Sequence, residues 1–537
     1  MKRTTYILSA IIILLSGCSK EPPKVLQAEP DFASVSLSSS SSVFDKDGGE
    51  KTIFVASNRE EWEVVCDEDW LDISVDDNSV TFYVDENNNA DTRLAVVEVI
   101  AGEKPDVAKA RFKVYQTGDG LVDLSADGTA NCYIAQTGGS YRFKADVKGN
   151  GIDDGYTFYI GYHGAEIEGA TYADLAWEST FDADKTRSTR IISGSPVYSP
   201  EEKAVYFSTG DHQGNAVICV RSGDGEILWS WHIWVSDAMV GTSQGNGLEW
   251  MDRNLGALNN NPDDISNRGM LYQWGRKDPF LPSPASYMEV PVHRYDEDYN
   301  LLETEEEYLA IQKAIEAARE VLNVSNTQTG DGFLKWNYLG VAPVALEYPG
   351  NIEYSVQNPT TILGCRTDIP IGEYVFDWYL QQDLPGSNGN MMQSGSALWG
   401  EDVVNNRKTI FDPCPPGYAV PPRGAFGDLP ADYACIYLSR EWEKNACGWT
   451  WKGGNGDYFP STGNLDVSGL MGETSERMLY WTAETFDSSG FGKAGTLFVA
   501  YNDIYYGIYP LMDEAEAGSW YSYGARCYAA PVRCVKE

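Results

Sequence analysis

Thr52-Ile53-Phe54-Val55-Ala56, Trp62-Glu63-Val64-Val65, Val80-Thr81-Phe82-Tyr83-Val84, Ala95-Val96-Val97-Glu98-Val99-Ile100 and Ala110-Arg111-Phe112-Lys113-Val114-Tyr115 are five short runs that alternate apolar and polar residues. Side chains of a strand point to opposite faces with period two, so each run buries one face and wets the other. Turn-forming clusters separate them: Asp47-Gly48-Gly49, Asp76-Asp77-Asn78, Asn87-Asn88-Asn89 and Glu103-Lys104-Pro105. Short strands at this spacing predict an all-β sandwich over residues 33–118.

The pattern continues over residues 121–240. Strand-like runs include Ala204-Val205-Tyr206-Phe207-Ser208, Asn215-Ala216-Val217-Ile218-Cys219-Val220 and Leu228-Trp229-Ser230-Trp231-His232-Ile233-Trp234. The turn Ser222-Gly223-Asp224-Gly225 joins the last two as a hairpin. Trp229, Trp231 and Ile233 share one face, read as core rather than as an exposed aromatic platform, since burial is the commonest use of indole area. Residues 241–537 form a third unit, rich in Gly and aromatics. One helix is expected there: Thr304 and Glu307 make a capping box, followed by Tyr308, Ile311, Ile315, Ala318 and Leu322 at helical spacing.

The chain of 537 residues has 40 Lys+Arg against 79 Asp+Glu, a formal net charge of -39. Such a field repels phosphate backbones and anionic headgroups, which argues against nucleic acid and against a polybasic membrane patch. At 42% hydrophobic residues the chain is too apolar to be mainly disordered. Lys2 and Arg3 precede a short apolar run, Tyr6 to Leu15, that ends in Leu15-Ser16-Gly17-Cys18. The run is too short to span a bilayer and has the layout of a secretory signal over residues 1–17. Its end resembles a bacterial lipobox, which implies an acylated Cys18, with palmitate-type chains anchoring the protein to the outer membrane. Residues 18–32, with Pro22, Pro23 and Pro30, then read as a tether. Ser19-Lys20-Glu21-Pro22 offers one acid, so display at the cell surface is the expectation without a strong export signal. Nine Cys follow Cys18, an odd number, so at least one thiol is left unpaired.

Two family resemblances sharpen this reading. Gly48-Gly49-Glu50, Asn58, Trp62, Trp70-Leu71-Asp72-Ile73-Ser74, Asn88, Arg93 and the closing Val114-Tyr115-Gln116-Thr117-Gly118 occur in an order that resembles the BACON domain, a Bacteroidetes-associated Ig-like sandwich. The resemblance implies carbohydrate binding or a spacer role; Trp62 and Trp70 fit core positions. In the third unit, Leu248-Glu249-Trp250-Met251-Asp252-Arg253-Asn254-Leu255-Gly256, Gly269-Met270-Leu271-Tyr272-Gln273-Trp274-Gly275-Arg276, Asp412-Pro413-Cys414-Pro415-Pro416-Gly417-Tyr418, Tyr480-Trp481-Thr482-Ala483 and Val532-Arg533-Cys534-Val535-Lys536 are similar to the Fibrobacter succinogenes major paralogous domain. That family resembles C-type-lectin-like α+β folds whose last strand returns beside the early ones. Such a return implies a Cys414–Cys534 disulfide. Long insertions, roughly residues 283–332 and 343–402, depart from the pattern and are free to remodel a binding face.

Catalytic motifs do not survive inspection. Gly241-Thr242-Ser243-Gln244-Gly245 matches G-x-S-x-G, but a nucleophile elbow needs a strand before it and a helix after it. Asp85-Glu86-Asn87-Asn88-Asn89-Ala90-Asp91 starts like a calcium loop but lacks its Gly and its closing Glu. Asn502-Asp503 after Tyr501 resembles half of a lectin calcium site without its partner motif. No cofactor or catalytic residue is therefore expected, and calcium is the one ion left open. Tyr501, Asn502, Asp503, Tyr505, Tyr506, Tyr509, Trp520 and Tyr521 are the ligand-binding residues proposed from sequence, because ringed side chains with polar tips suit sugar faces and protein partners.

The expectation is thus a mainly β multidomain protein: two Ig-like sandwiches followed by an α+β, C-type-lectin-like head over residues 241–537. The function expected is non-catalytic glycan recognition at the cell surface. The alternatives are a structural or adhesive, fimbria-associated protein that binds a protein partner and, more weakly, a glycoside hydrolase.

Overall fold

The computed structural model describes residues 32–152, 164–179 and 191–281 (save 246 and 263), then 304, 324–326, 333–335, 337–339, 350–363, 378, 398–399, 408–422, 425, 448–450, 458–460, 462, 464–465, 471–472, 477–486, 493–500 and 521–537 (save 527). These residues are mainly β-strand, arranged in several small sheets. The expected helix after Thr304 lies outside the described residues. So do the leader, Cys18 and the tether up to residue 31.

The first unit has eight strands: β1 (Val35–Leu37), β2 (Ser41–Phe44), β3 (Gly49–Ser57), β4 (Trp62–Val65), β5 (Leu71–Asp76), β6 (Ser79–Val84), β7 (Arg93–Ala101) and β8 (Ala108–Gln116). They form two four-stranded sheets, β1-β3-β6-β5 and β2-β8-β7-β4. The alternation is realised: Val80, Phe82 and Val84 from one sheet meet Ala95, Val97, Val99, Phe112 and Val114 from the other in one core. Phe82 and Phe112 stack at 4.8 Å. Trp62 and Trp70 pack against this core, and the Arg93 guanidinium lies 4.4 Å over the Trp70 ring. The Asn-rich turn is held from within. The buried Asn87 amide donates to the carbonyls of Asp91 and Thr117, and Gln116 Nε2 donates to those of Asp45, Lys46 and Asp85.

The second unit contains β9 (Leu121–Asp123), β10 (Cys132–Ala135), β11 (Ser140–Lys144), β12 (Tyr172–Ser179), β13 (Ile192–Ser199), β14 (Ala204–Thr209), β15 (Gly214–Arg221) and β16 (Ile227–Val235). One sheet runs β13-β14-β11-β9. The other runs β10-β16-β15-β12 and continues into Val324–Asn326 and Phe333–Lys335 of the third unit. A small seam joins this unit to the first. Tyr115, Val197, Ala204 and Tyr206 cluster there, and Ser41 Oγ donates to the Tyr198 carbonyl.

The third unit opens with the hairpin β17 (Thr242–Gly245) and β18 (Leu248–Met251). The last strand, Val535–Lys536, returns between β18 and Tyr418–Ala419, with Trp250 opposite Val535. Cys414 and Cys534, the pair implied by the resemblance, are disulfide-bonded with Cα atoms 6.1 Å apart. Buried residues from both sides of the expected 240/241 boundary pack together. One continuous core takes in Trp177, Trp229, Trp231 and Trp234 together with Met251, Tyr272, Trp274, Trp399, Trp481 and Cys534. Polar links cross the same line. Asn131 Nδ2 donates to the carbonyls of Ile410 and Asp412, while its Oδ1 accepts from Trp229 Nε1. The reason is β16, which is buried on both faces. The second face needs a cover, and residues after 240 supply it.

Candidate functional site

A cleft of about 950 Å³ opens where the second unit meets a short helix. The helix, α1 (Gly350–Gln357), lies in the stretch 343–402 and packs on β16. Its turns give Ile352 and Val356 to the core. Glu353, Val356 and Gln357, at positions i, i+3 and i+4, share one face and line the cleft. Lys148, Glu166 and Glu168 come from the facing loops of the second unit, and Ile227 and Leu228 form an apolar strip.

Two details fix this wall. Buried Arg276 holds the end of α1 to the strand that follows it: Nη2 donates to the carbonyls of Ser355 and Asn358, and Nη1 to that of Thr361 at 2.6 Å. Unsatisfied carbonyls at a helix C-terminus accept such donors readily. Burial lowers the Arg276 pKa to about 10. Lys148 is already engaged: its Nζ donates to the Gly164 carbonyl at 3.1 Å and sits 5.9 Å from the Trp229 ring. Among the described residues the lining therefore presents three carboxylates and an amide beside an apolar strip, with one ammonium turned to the protein.

A second constellation looks catalytic and is not. Cys132 Sγ lies 3.4 Å from His232 Nδ1, and His232 Nε2 lies 2.8 Å from Asn215 Oδ1. Cys, His and Asn in this order can activate a thiolate. Here all three are buried. Asn215 Nδ2 donates to the Gly256 carbonyl, so its Oδ1 is left to accept, and the His232 proton sits on Nε2. Nδ1 then accepts from the Tyr272 hydroxyl at 2.8 Å. Burial drives the His232 pKa down to about 3 and pushes the Cys132 thiol far up. A thiol kept protonated beside a neutral imidazole is no nucleophile. The group instead ties β10, β15 and β16 to the third unit. Gly256 is part of the tie: its φ of +84°, and Asn215 Oδ1 at 2.8 Å from where a Cβ would stand, leave room for glycine alone.

Two other motifs resolve as architecture. Ser243 is buried in β17, and the chain continues through a hairpin into β18 rather than into a helix. Asp412 in Asp412-Pro413-Cys414 accepts the N–H groups of Cys414 and Val420, which shapes the loop that carries Cys414. Its burial raises its pKa to about 6. Among the described residues no group of three or more His, Cys, Asp or Glu side chains could hold a metal ion.

Of the sequence-proposed ligand residues, Tyr501, Asn502, Asp503, Tyr505, Tyr506, Tyr509 and Trp520 lie outside the described residues. Tyr521 opens the strand Tyr521–Ala525, at the end of the sheet with Arg477–Phe486 and Lys493–Ala500. Sequence reasoning missed Lys148, Glu166, Glu168, Glu353 and Gln357. They form no motif, and the one signal, for Glu353 and Gln357 alone, was the departure expected over 343–402.

No family model matches the chain, and no curated protein matches it. Among solved structures, a protein from Bacteroides thetaiotaomicron is 17% identical over 19% of this chain and 98% of its own, with a TM-score of 0.13. The titin Ig tandem A164-A165 is 10% identical over 38% of this chain and 97% of its own, TM-score 0.13. The CupB2 chaperone of Pseudomonas aeruginosa is 13% identical over 37% of this chain and 100% of its own, TM-score 0.18. Likenesses with TM-scores this low carry no argument for fold or function.

Proposed function

We propose that this chain is a lipid-anchored binding protein of the bacterial outer membrane, held through Cys18, that recognises glycan at the cell surface without catalysis. In this reading the first two units are Ig-like sandwiches. The remainder is a C-type-lectin-like head fused to the second by a shared core. Two four-stranded sheets around one core support the first assignment. The return of Val535–Lys536 beside β18 supports the second.

The observation that carries the function is the cleft lining. An apolar strip of Ile227, Leu228 and Val356 stands beside Glu166, Glu353 and Gln357. Sugar rings have an apolar C–H face and a rim of hydroxyls, so they need both kinds of wall, and acceptors placed this way fix orientation. The test is a polysaccharide pull-down and glycan array with the whole chain, with and without calcium, beside the double variant Glu353→Ala, Gln357→Ala. Binding by the parent and its loss in the folded variant are expected. Failure of every glycan to bind the parent chain, or undiminished binding by the variant, overturns the assignment to this cleft.

A further inference from the structure

The outer face of β8 changes character along its length. Period two turns Arg111, Lys113 and Tyr115 away from the first sandwich's core, toward solvent. The Arg111 side chain is 70% exposed there, yet Tyr115 is 2% exposed. The second unit supplies the cover. The Tyr115 ring meets Tyr206 of β14 at 5.6 Å, in a cluster with Val197 and Ala204. Beside it, Thr92 Oγ1 lies 2.7 Å from Ser208 Oγ and accepts from Ser140 Oγ at 3.1 Å. Farther down the β2–β8 ladder, the hydroxyls of Ser41 and Ser40 donate to the carbonyls of Tyr198 and Thr171.

We infer that the first sandwich is locked to the second at one angle, so that the two move as a single stiff body. Relative motion is what consecutive domains do by default, because their contacts are small and their linkers free. Here the linker is bonded throughout. Thr117 N–H donates to the Phe44 carbonyl, Asp119 N–H to that of Asn89 and Gly120 N–H to that of Ala90. The Asp119 carboxylate also meets Lys46 at 2.7 Å. Gly118 sits so close to the first sandwich that a Cβ would stand 2.3 Å from the Ala90 oxygen. Leu121 then enters β9, which pairs with β11 at Ser140. The backbone passes from bonds on the first sandwich straight to bonds in the second, which leaves no run of free residues over 117–121 for a hinge. The seam along β2 and β8 is a second attachment, and two attachments remove the swivel that one would allow. The two cores stay separate, so the lock fixes orientation without merging the folds. One wall of the cleft is built on the second unit and therefore keeps a fixed direction relative to the first sandwich, whatever the cleft binds.

The experiment is pulsed electron–electron spin resonance on the whole chain, with nitroxides carried by keto amino acids so that native cysteines stay untouched. One label pair, at Asp77 and Asp224, spans the seam. A second pair, at Asp77 and Glu86, lies inside the first sandwich, and all three positions are exposed. The distance distribution across the seam should be a single peak, no more than about 1.5 times as broad as the one inside the sandwich. Two peaks, or a broader distribution, overturn the inference without any variant. Gly118→Ala pushes the linker off Ala90, and Tyr206→Ala empties the seam. In the double variant the peak across the seam should widen at least about twofold while the inner pair is unchanged. An unchanged width there overturns the roles given to this linker and seam. If the double variant does not fold, the parent's distribution still decides whether the angle is fixed.

Discussion

Two buried groups, His232 and Asp412, pull the pH dependence of stability in opposite directions. His232 has an ordinary pKa of 6.5 unfolded and about 3 folded. Between those values the unfolded chain binds the proton and the folded chain does not. Its contribution is therefore complete above pH 6.5 and is lost as pH falls toward 3. Asp412 rises from 3.8 to about 6 because burial penalises its charge. Here the folded chain binds the extra proton, so its contribution is present below 3.8 and lost as pH rises through 6. The windows overlap, and the two slopes nearly cancel between pH 5 and 6. Asp412→Asn removes one of them. Stability of that variant should climb with pH more steeply than the parent's by about 1 kcal/mol per pH unit in this interval. Urea unfolding of both proteins at pH 5 and pH 6 measures it, and parallel slopes would show that Asp412 titrates alike in both states. Neither residue was singled out for this from sequence. Asp412 stood in a motif whose reason, two backbone N–H groups on one carboxylate, is visible only once the loop is folded.

At the scale of elements, what could be read in advance divides by how many faces of a strand are buried. In β6, Val80, Phe82 and Val84 are buried while Tyr83 is 45% exposed, so the alternation in the sequence is the alternation in space. In β16 the polar residues between the indoles, Ser230 and His232, are buried too. They find partners from far along the chain: Ser230 Oγ donates to Asp278 Oδ1, and the Tyr272 hydroxyl meets His232. A period-two pattern shows which face is apolar but not that the polar face is also covered. Helix α1 lay beyond reach for another reason. Eight residues carry little periodicity, and this helix is fixed by a donor from elsewhere, Arg276, more than by its own propensity. Arg276→Lys keeps the charge but loses the fork that reaches three carbonyls. Its unfolding free energy should drop by about 2 kcal/mol. Glycan affinity at the cleft should fall further than the stability loss explains, because Glu353 and Gln357 ride on this helix. Equal affinity in the folded variant would separate the helix from the site.

Across the whole molecule, the cores set which pieces can stand alone. Residues 33–118 have a core of their own, whereas described residues of 121–240 and of 241–537 share one. Cutting at 240/241 would leave Trp229, Trp231 and Trp234 uncovered on one side, and Met251, Tyr272 and Trp274 on the other. Exposure of each large apolar side chain costs about 1.5–3 kcal/mol, so three on each side together cost about as much as a typical domain has in reserve. A fragment of residues 32–119 should therefore fold, with dispersed amide resonances and a cooperative melt, while residues 241–537 alone should bind hydrophobic dyes and lack one. The disulfide sharpens the test because Cys414 and Cys534 are 120 residues apart and both lie in the fused core. Closing a loop of that length lowers the unfolded chain's entropy by an amount worth about 4–5 kcal/mol. Reduction should lower the melting transition of the fused part and leave that of the first sandwich in place. A shift of both together would mean that the seam at Tyr115, Val197 and Tyr206 couples all three units into one cooperative body. A folded 241–537 fragment would instead restore the head as a domain and detach the cleft from it, because the facing wall at Glu166 and Glu168 would be gone.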